Sequence, residues 1–484
     1  MKLSKLFKLG KTQAELDFID IDPDKDIGLY VDSHLIGASH HPFAEKCHST
    51  ISSFFNYFLA LIKDGGQDDA RELFSHLHEP NETCLGSSVG TPNGRGVGGE
   101  NASDIFESVM SSRAIETGVL EHLEDFRIFV HGVGPDKVSD MTTNIIRHNL
   151  IEYTQTQCDL HGIQMRDMVA TGPWWDSQNR QWQWSHERML IVDERPILLV
   201  PKCIVSYGRA YSADIYHRQF VLNFVKRAQL ASNGPFVRHR KPKRGQKVGD
   251  AYVLKKELAV EYPPQKDFIA GFTQQHKGVF EGFREFTTKH AKPLDHSEIS
   301  ASNIPEICLY LANKLTVTPS GNEAATAYHH LITGILELIF YPSLACPQKE
   351  REIHDGRKRI DIVFDNAARD GEFYRLMDTR KIPAHYIVVE CKNYGKDVAN
   401  PEVDQLVGRF SFQRGEFGML VCRSVENYQT LIKRCQDVFT DRRGLIIPIL
   451  DSDLIVLLEK KASDPTSRPE EDFIRDRIRE VAYA

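Results

Sequence analysis

The run Tyr386-Ile387-Val388-Val389, closing on Glu390-Cys391-Lys392, constrains this chain more than any other segment. A short unbroken series of branched and aromatic residues reads as a strand, and its continuity predicts burial on both faces, as in the interior of a layered α/β sheet. Side chains alternate along a strand, so Glu390 and Lys392 share one face and Cys391 takes the other. A carboxylate and an ammonium on an interior strand are costly unless a metal or a partner compensates them. The segment therefore predicts a fold class and a site together.

The flanking sequence extends that reading. Arg359-Ile360-Asp361-Ile362-Val363 predicts a second strand, carrying an acid, after a hairpin-like turn at Asp355-Gly356. Residues 324–340 have helical periodicity, with Tyr328, Leu331, Ile335, Leu338 and Ile339 as an apolar stripe. Glu323, His330 and Glu337 fall roughly on the opposite face. Asn400, with Pro401 after it, predicts the start of a helix bearing Gln405, and residues 418–422 predict a further strand. The order is helix, strand, strand, strand, helix, strand, with the acids in the middle strands. Two carboxylates suit a hard divalent cation, and a lysine beside them can orient a water, which is the equipment of phosphodiester hydrolysis. Acid-x-Lys alone is weak, since Glu459-Lys460-Lys461 repeats it by chance. Context is what distinguishes Glu390-Cys391-Lys392.

Residues from about 320 to 425 resemble the PD-(D/E)xK, or restriction-endonuclease-like, nuclease superfamily, in particular its Mrr-like branch with a glutamine on the helix after the Glu-x-Lys strand. The resemblance implies an α-β-β-β-α-β core in which Asp361, Glu390 and the backbone carbonyl of Cys391 bind Mg²⁺, with Mn²⁺ as a substitute. It implies that Lys392 positions the attacking water and that Gln405 holds the lysine or the water. The helix-borne acid of the family falls on Glu337 or Glu323, and Glu337 is taken as the nearer to the strands. Ile360 replaces the proline that the family often places before its aspartate. The activity implied is endonucleolytic cleavage of DNA, in a setting of bacterial anti-phage defence or restriction. A homodimer or higher oligomer would serve double-strand cutting, and a regulatory partner protein would serve control. The alternative is a subunit of a defence complex whose nuclease fold binds nucleic acid or protein and is gated or inactive.

At 484 residues, two or three domains are expected. Residues 1–235 read as a mixed α/β region of unassigned fold, suited to sensing, specificity or oligomerisation. Residues 236–302 read as a basic linker and helical bridge, and 303–484 as the nuclease-like α/β domain. The net charge of −7 offers no global attraction for nucleic acid, so any such surface is local. Nine scattered cysteines without a CxxC suit reduced thiols in a cytoplasm. No long apolar run predicts a membrane span, and the basic N-terminus lacks the form of a secretory signal.

In the first region, residues 43–62 and 141–158 predict helices, and 125–130 and 197–200 predict strands. The basic segment with Arg238, Arg240, Lys241, Lys243, Arg244 and Lys247 reads as a linker or as a surface for a phosphate backbone. Trp174, Trp175, Trp182 and Trp184 around Asp176-Ser177-Gln178-Asn179 predict an aromatic hairpin, more suited to packing than to stacking on bases. Asp136 and Asp140, with Lys202, imitate a second acid-and-lysine core, but its second acid is missing, because Val200-Pro201-Lys202 stands in place of an acid-x-Lys. His34, His40, His41, Cys47 and His48 match no zinc spacing. The run Gly94-Arg95-Gly96-Val97-Gly98-Gly99 reads as a loop without the Lys-Ser or Lys-Thr of a nucleotide site.

Overall fold

The computed structural model describes residues 1–86, 98–242, 244, 249–353, 358–393 and 400–483, and for 98–101, 350–353, 358–361 and 400 the backbone alone. Helix α1, Pro42–Lys63, begins with proline in its first turn and buries Cys47, Ile51, Phe54, Phe55 and Phe58 at helical spacing. The helix expected over 141–158 is two helices, α2 (Pro135–Ile145) and α3 (Arg147–His161). The break at Ile146 accompanies Arg147, a buried cation held by Glu82 at 2.6 Å and by the Asn144 side chain at 3.0 Å.

The strand expected at 125–130 is helical, over Leu123–Asp125 and Phe126–Phe129. Asp125 decides it, because its carboxylate accepts the N–H groups of Glu121 and His122, both at 2.9 Å, and closes a helical turn. Local hydrogen bonding here overrides a β-like composition. At 197–200 a strand covers only Arg195–Ile197. Beyond it, Leu198 N–H bonds to the Glu82 carbonyl, Leu199 N–H to the Thr154 hydroxyl, and the Val200 carbonyl accepts Ile19 N–H, so no ladder forms.

The tryptophan hairpin is present, β1 (Trp174–Asp176) pairing with β2 (Gln181–Gln183) and Trp175 opposite Trp182. Both rings of that pair are buried against Phe54, so the hairpin packs the core. The basic segment opens on β3 (Arg238–His239), which pairs antiparallel with β4 (Ala251–Tyr252). The helices expected as a bridge pack in the first core, which takes in Leu258, Ile269, Phe272, Phe280 and Phe283 together with the side chains of α1 to α3, while Thr288, Ala291, Leu294 and His296 hydrogen-bond to residues of the second half.

The second core surrounds a five-stranded sheet. Helix α4 (Ala325–Phe340) precedes β5 (Leu344–Ile353), β6 (Lys358–Asn366) and β7 (Tyr386–Lys392). Then follow α5 (Asn400–Val407), β8 (Phe417–Cys422) and β9 (Leu445–Leu450). The spatial order is β5-β6-β7-β8-β9, with β5–β6 and β6–β7 antiparallel and β7–β8 and β8–β9 parallel. Strand β7 is the middle strand, and Ile387 through Cys391 are buried, as its apolar run predicts. The cores interlock: Ala14 belongs to the second, whereas Ala345 and Cys346 of β5 belong to the first. Among the described residues, no helix is long and apolar enough to cross a membrane.

Candidate functional site

The end of β7 gathers the predicted polar residues. Glu390 and Lys392 share a face, and Lys392 Nζ donates to Glu390 Oε1 at 2.6 Å. From α5, Gln405 Oε1 accepts a second hydrogen bond from the same ammonium at 3.3 Å. A residue that the sequence reading missed completes the group. Arg409, just past α5 and buried, ion-pairs with Glu390 Oε2. Its only sequence signal is a position one helical turn beyond Gln405, the (i, i+4) spacing that puts two side chains on one face.

Glu390 is 1% exposed. A carboxylate so placed costs several kcal/mol, roughly, unless cations and hydrogen bonds compensate it. Lys392 and Arg409 compensate it, one at each oxygen. Gln405 is exposed, so the cluster opens to solvent on the α5 side.

Strand β6 brings Asp361 to this region by register. Ile362 stands opposite Val389, so the backbone of Asp361, one step further along, is level with Glu390. The side chain of Asp361 lies outside the described residues, as do Lys243 and Lys247 of the basic segment and the turn at Asp355-Gly356. Within that basic segment Arg238, Arg240, Lys241 and Arg244 are exposed, with Arg238 paired to Glu257 at 2.6 Å.

Glu337 is elsewhere. Asn393, directly after β7, donates to the Gly321 carbonyl at 2.8 Å and its own carbonyl accepts Gly321 N–H at 2.7 Å. This joins the start of α4 to the end of β7 and leaves the exposed Glu323 on that side. Glu337 lies fourteen residues further along, about 20 Å at 1.5 Å per helical residue. There it is buried with Lys202 Nζ 3.0 Å from its Oε1. Of the two candidate helix acids, Glu323 stands at the helix end that meets β7, where it lines a cavity with Lys11, Glu15 and Lys314, and Glu337 stands at the other end. Lys202 is accordingly the partner of Glu337 and not part of a second acid-and-lysine core.

The parallel strands end in a second polar group. Lys392 pairs with Cys422 and Cys422 with Leu450, so Arg423 and Asp451 follow at the same edge. Asp451 accepts the Tyr328 hydroxyl at 2.7 Å and lies 3.3 Å from Arg423 Nε. Burial lifts the Asp451 carboxyl to about 6, against the opposing pull of Tyr328 and Arg423.

Residues 8–212 match a family model described as Domain of unknown function (DUF8370). No curated protein and no solved structure matches the chain. The matched segment holds Asp17, His41 and Lys202, and ends well before Glu390.

Proposed function

We propose that residues 303–484 form a restriction-endonuclease-like, divalent-metal-dependent endonuclease that hydrolyses DNA. The observation that carries this reading is the convergence of Glu390, Lys392 and Gln405 at the end of the middle strand, in a helix and strand order that departs from the one the resemblance implies by an added helix, Gly371–Asp378, between β6 and β7.

Asp361, Glu390 and the Cys391 carbonyl would hold Mg²⁺, or Mn²⁺ in its place, and the ion would lower the pKa of a water and neutralise charge developing on the phosphate. The chain's own residues do the rest. The Lys392 ammonium has three donors, and among the described residues Glu390 and Gln405 occupy two of them. The third serves to orient the attacking water or a phosphate oxygen. Gln405 fixes the lysine from the solvent side, where a phosphate backbone can approach. Arg409 compensates the Glu390 carboxylate in the interior. The first core, with its exposed basic segment, supplies target choice or restraint, in the setting of bacterial anti-phage defence.

The test is incubation of the protein with plasmid, linear duplex, single-stranded DNA and RNA, with Mg²⁺, with EDTA, and with Glu390→Gln as control. Cleavage of DNA that needs both the metal and Glu390 is the expected outcome. The ion pair of Arg409 with Glu390 favours one second reading, a gated or non-cutting subunit of a defence complex. Metal-independent DNA binding without cleavage in every condition would favour that reading over the first.

A further inference from the structure

Three metal-ligating side chains from distant parts of the chain meet where the two cores interlock. His41 immediately precedes α1, Cys203 lies in the helical turn Lys202–Ile204, and Cys346 lies in β5. One ligand atom from each lies within 4.8 Å of the others, and all three residues are buried.

Two independent features mark this as a built site. First, the backbone is bent to deliver Cys346. Its φ is +51°, in the left-handed region that a side chain adopts only under strain, and it sits where the β5–β6 register shifts between Ala345 and Gln348. A bulge re-aims a side chain, and here it turns a thiol toward the first core. The distorted turn is held in place by Asp17 Oδ1, which accepts Cys346 N–H at 3.1 Å. Second, His41 is oriented as a ligand. Its Nδ1 lies 3.3 Å from Asp365 Oδ2, which also accepts Phe43 N–H at 2.9 Å. A carboxylate behind one ring nitrogen fixes the tautomer and frees the other. The ring also interacts with the Cys203 thiol, and Nε2 itself is buried without a well-formed hydrogen bond among the described residues.

We propose that His41, Cys203 and Cys346 bind one zinc(II) ion, through an imidazole nitrogen and two thiolate sulfurs. Soft sulfur with imidazole suits zinc, whereas Mg²⁺ demands oxygen, so this site is chemically distinct from the one at Glu390. Binding displaces the two thiol protons to solvent and forms two Zn–S bonds and one Zn–N bond, with no change of oxidation state. A water or a carboxylate takes the fourth position. Because Cys346 comes from the sheet and the other two ligands from the first core, the ion pins one to the other.

The experiment is metal analysis of the full chain purified under reducing conditions, followed by removal of the metal and titration with Co²⁺. The expected result is one zinc per chain and a sulfur-to-cobalt charge-transfer absorption that saturates at one equivalent. Cys203→Ser and Cys346→Ser should each lose the band, while Cys435→Ser, at a buried cysteine of the other core, and Glu390→Gln should keep it. Should the serine variants fail to fold, the titration of the unaltered chain decides alone. Absence of the band in protein folded by circular dichroism would overturn the proposal. So would a Cys203–Cys346 disulfide that forms in air in protein which, once reduced, takes up neither metal.

Discussion

Lys202 Nζ lies 3.0 Å from Glu337 Oε1, and both side chains are withdrawn from solvent. The ammonium also rests over the Tyr341 ring, 4.1 Å from its centroid. The pair joins the first core to the last turn of α4. Burial raises the Glu337 carboxyl, and the attraction of Lys202 opposes that rise. Buried pairs of this kind contribute little net stability when intact but are costly to break.

Breaking this pair should therefore be expensive for folding. Glu337→Ala should destabilise the chain by roughly 3–5 kcal/mol, whereas Lys202→Met combined with Glu337→Met should recover most of that loss. Urea unfolding of the three variants measures it, and a Glu337→Ala variant of unchanged stability would remove the pair's importance. Glu323→Ala should leave stability intact and weaken metal-dependent cleavage.

Arg409 should matter through Glu390. Arg409→Met leaves a buried carboxylate with the Lys392 ammonium on one of its oxygens and should cost roughly 3–5 kcal/mol. In a Glu390→Gln background the same substitution should cost much less. A double-mutant cycle in chemical denaturation reads the difference, and additive effects would argue that the two residues act separately.

Lys392 and Gln405 should separate by magnitude. Lys392→Ala should abolish cleavage, and Gln405→Ala should lower it by about 10²-fold, the effect of a misplaced reacting group. Ca²⁺ should permit DNA binding without turnover. Single-turnover assays test each, and robust cutting by Lys392→Ala or in Ca²⁺ would sink the mechanism.

The Asp451 carboxyl sits at about 6 rather than 3.8, with burial the main cause. The folded chain therefore holds a proton between those values that the unfolded chain releases. Its contribution to stability is present at the acidic end and is lost as pH rises through 6. Relative to Asp451→Asn, the unaltered chain should lose stability between pH 4 and 6, by at most about 1.4 kcal/mol per pH unit. Parallel unfolding curves at several pH values show it; a flat difference would place the group at its ordinary value.

The basic segment should register in salt dependence. Replacing Arg238, Arg240, Lys241, Lys243, Arg244 and Lys247 by glutamine should flatten the plot of log affinity for DNA against log salt, by about 0.9 for each phosphate that those side chains neutralise. An unchanged slope would leave the segment without a role in binding.

Elements whose pattern is local were legible in the chain itself. The apolar run of β7 announced an interior strand, alternation put Glu390 beside Lys392, and the proline-led turn set the start of the helix bearing Gln405. The aromatic hairpin was legible for the same reason, since a turn and two short strands need only neighbours. Packing between distant segments settled the rest. Asp125 became the centre of a helical turn despite β-like neighbours, and the expected bridge helices joined the first core because their apolar faces found it. Glu323 stands just before one predicted helix and Glu337 within it, and only packing showed which end meets β7 and which meets Lys202. His41, Cys203 and Cys346 carry no common spacing, because their meeting depends on a bulge in one strand and the docking of two cores. Periodicity encodes which face a residue takes, whereas long-range packing decides what that face will touch.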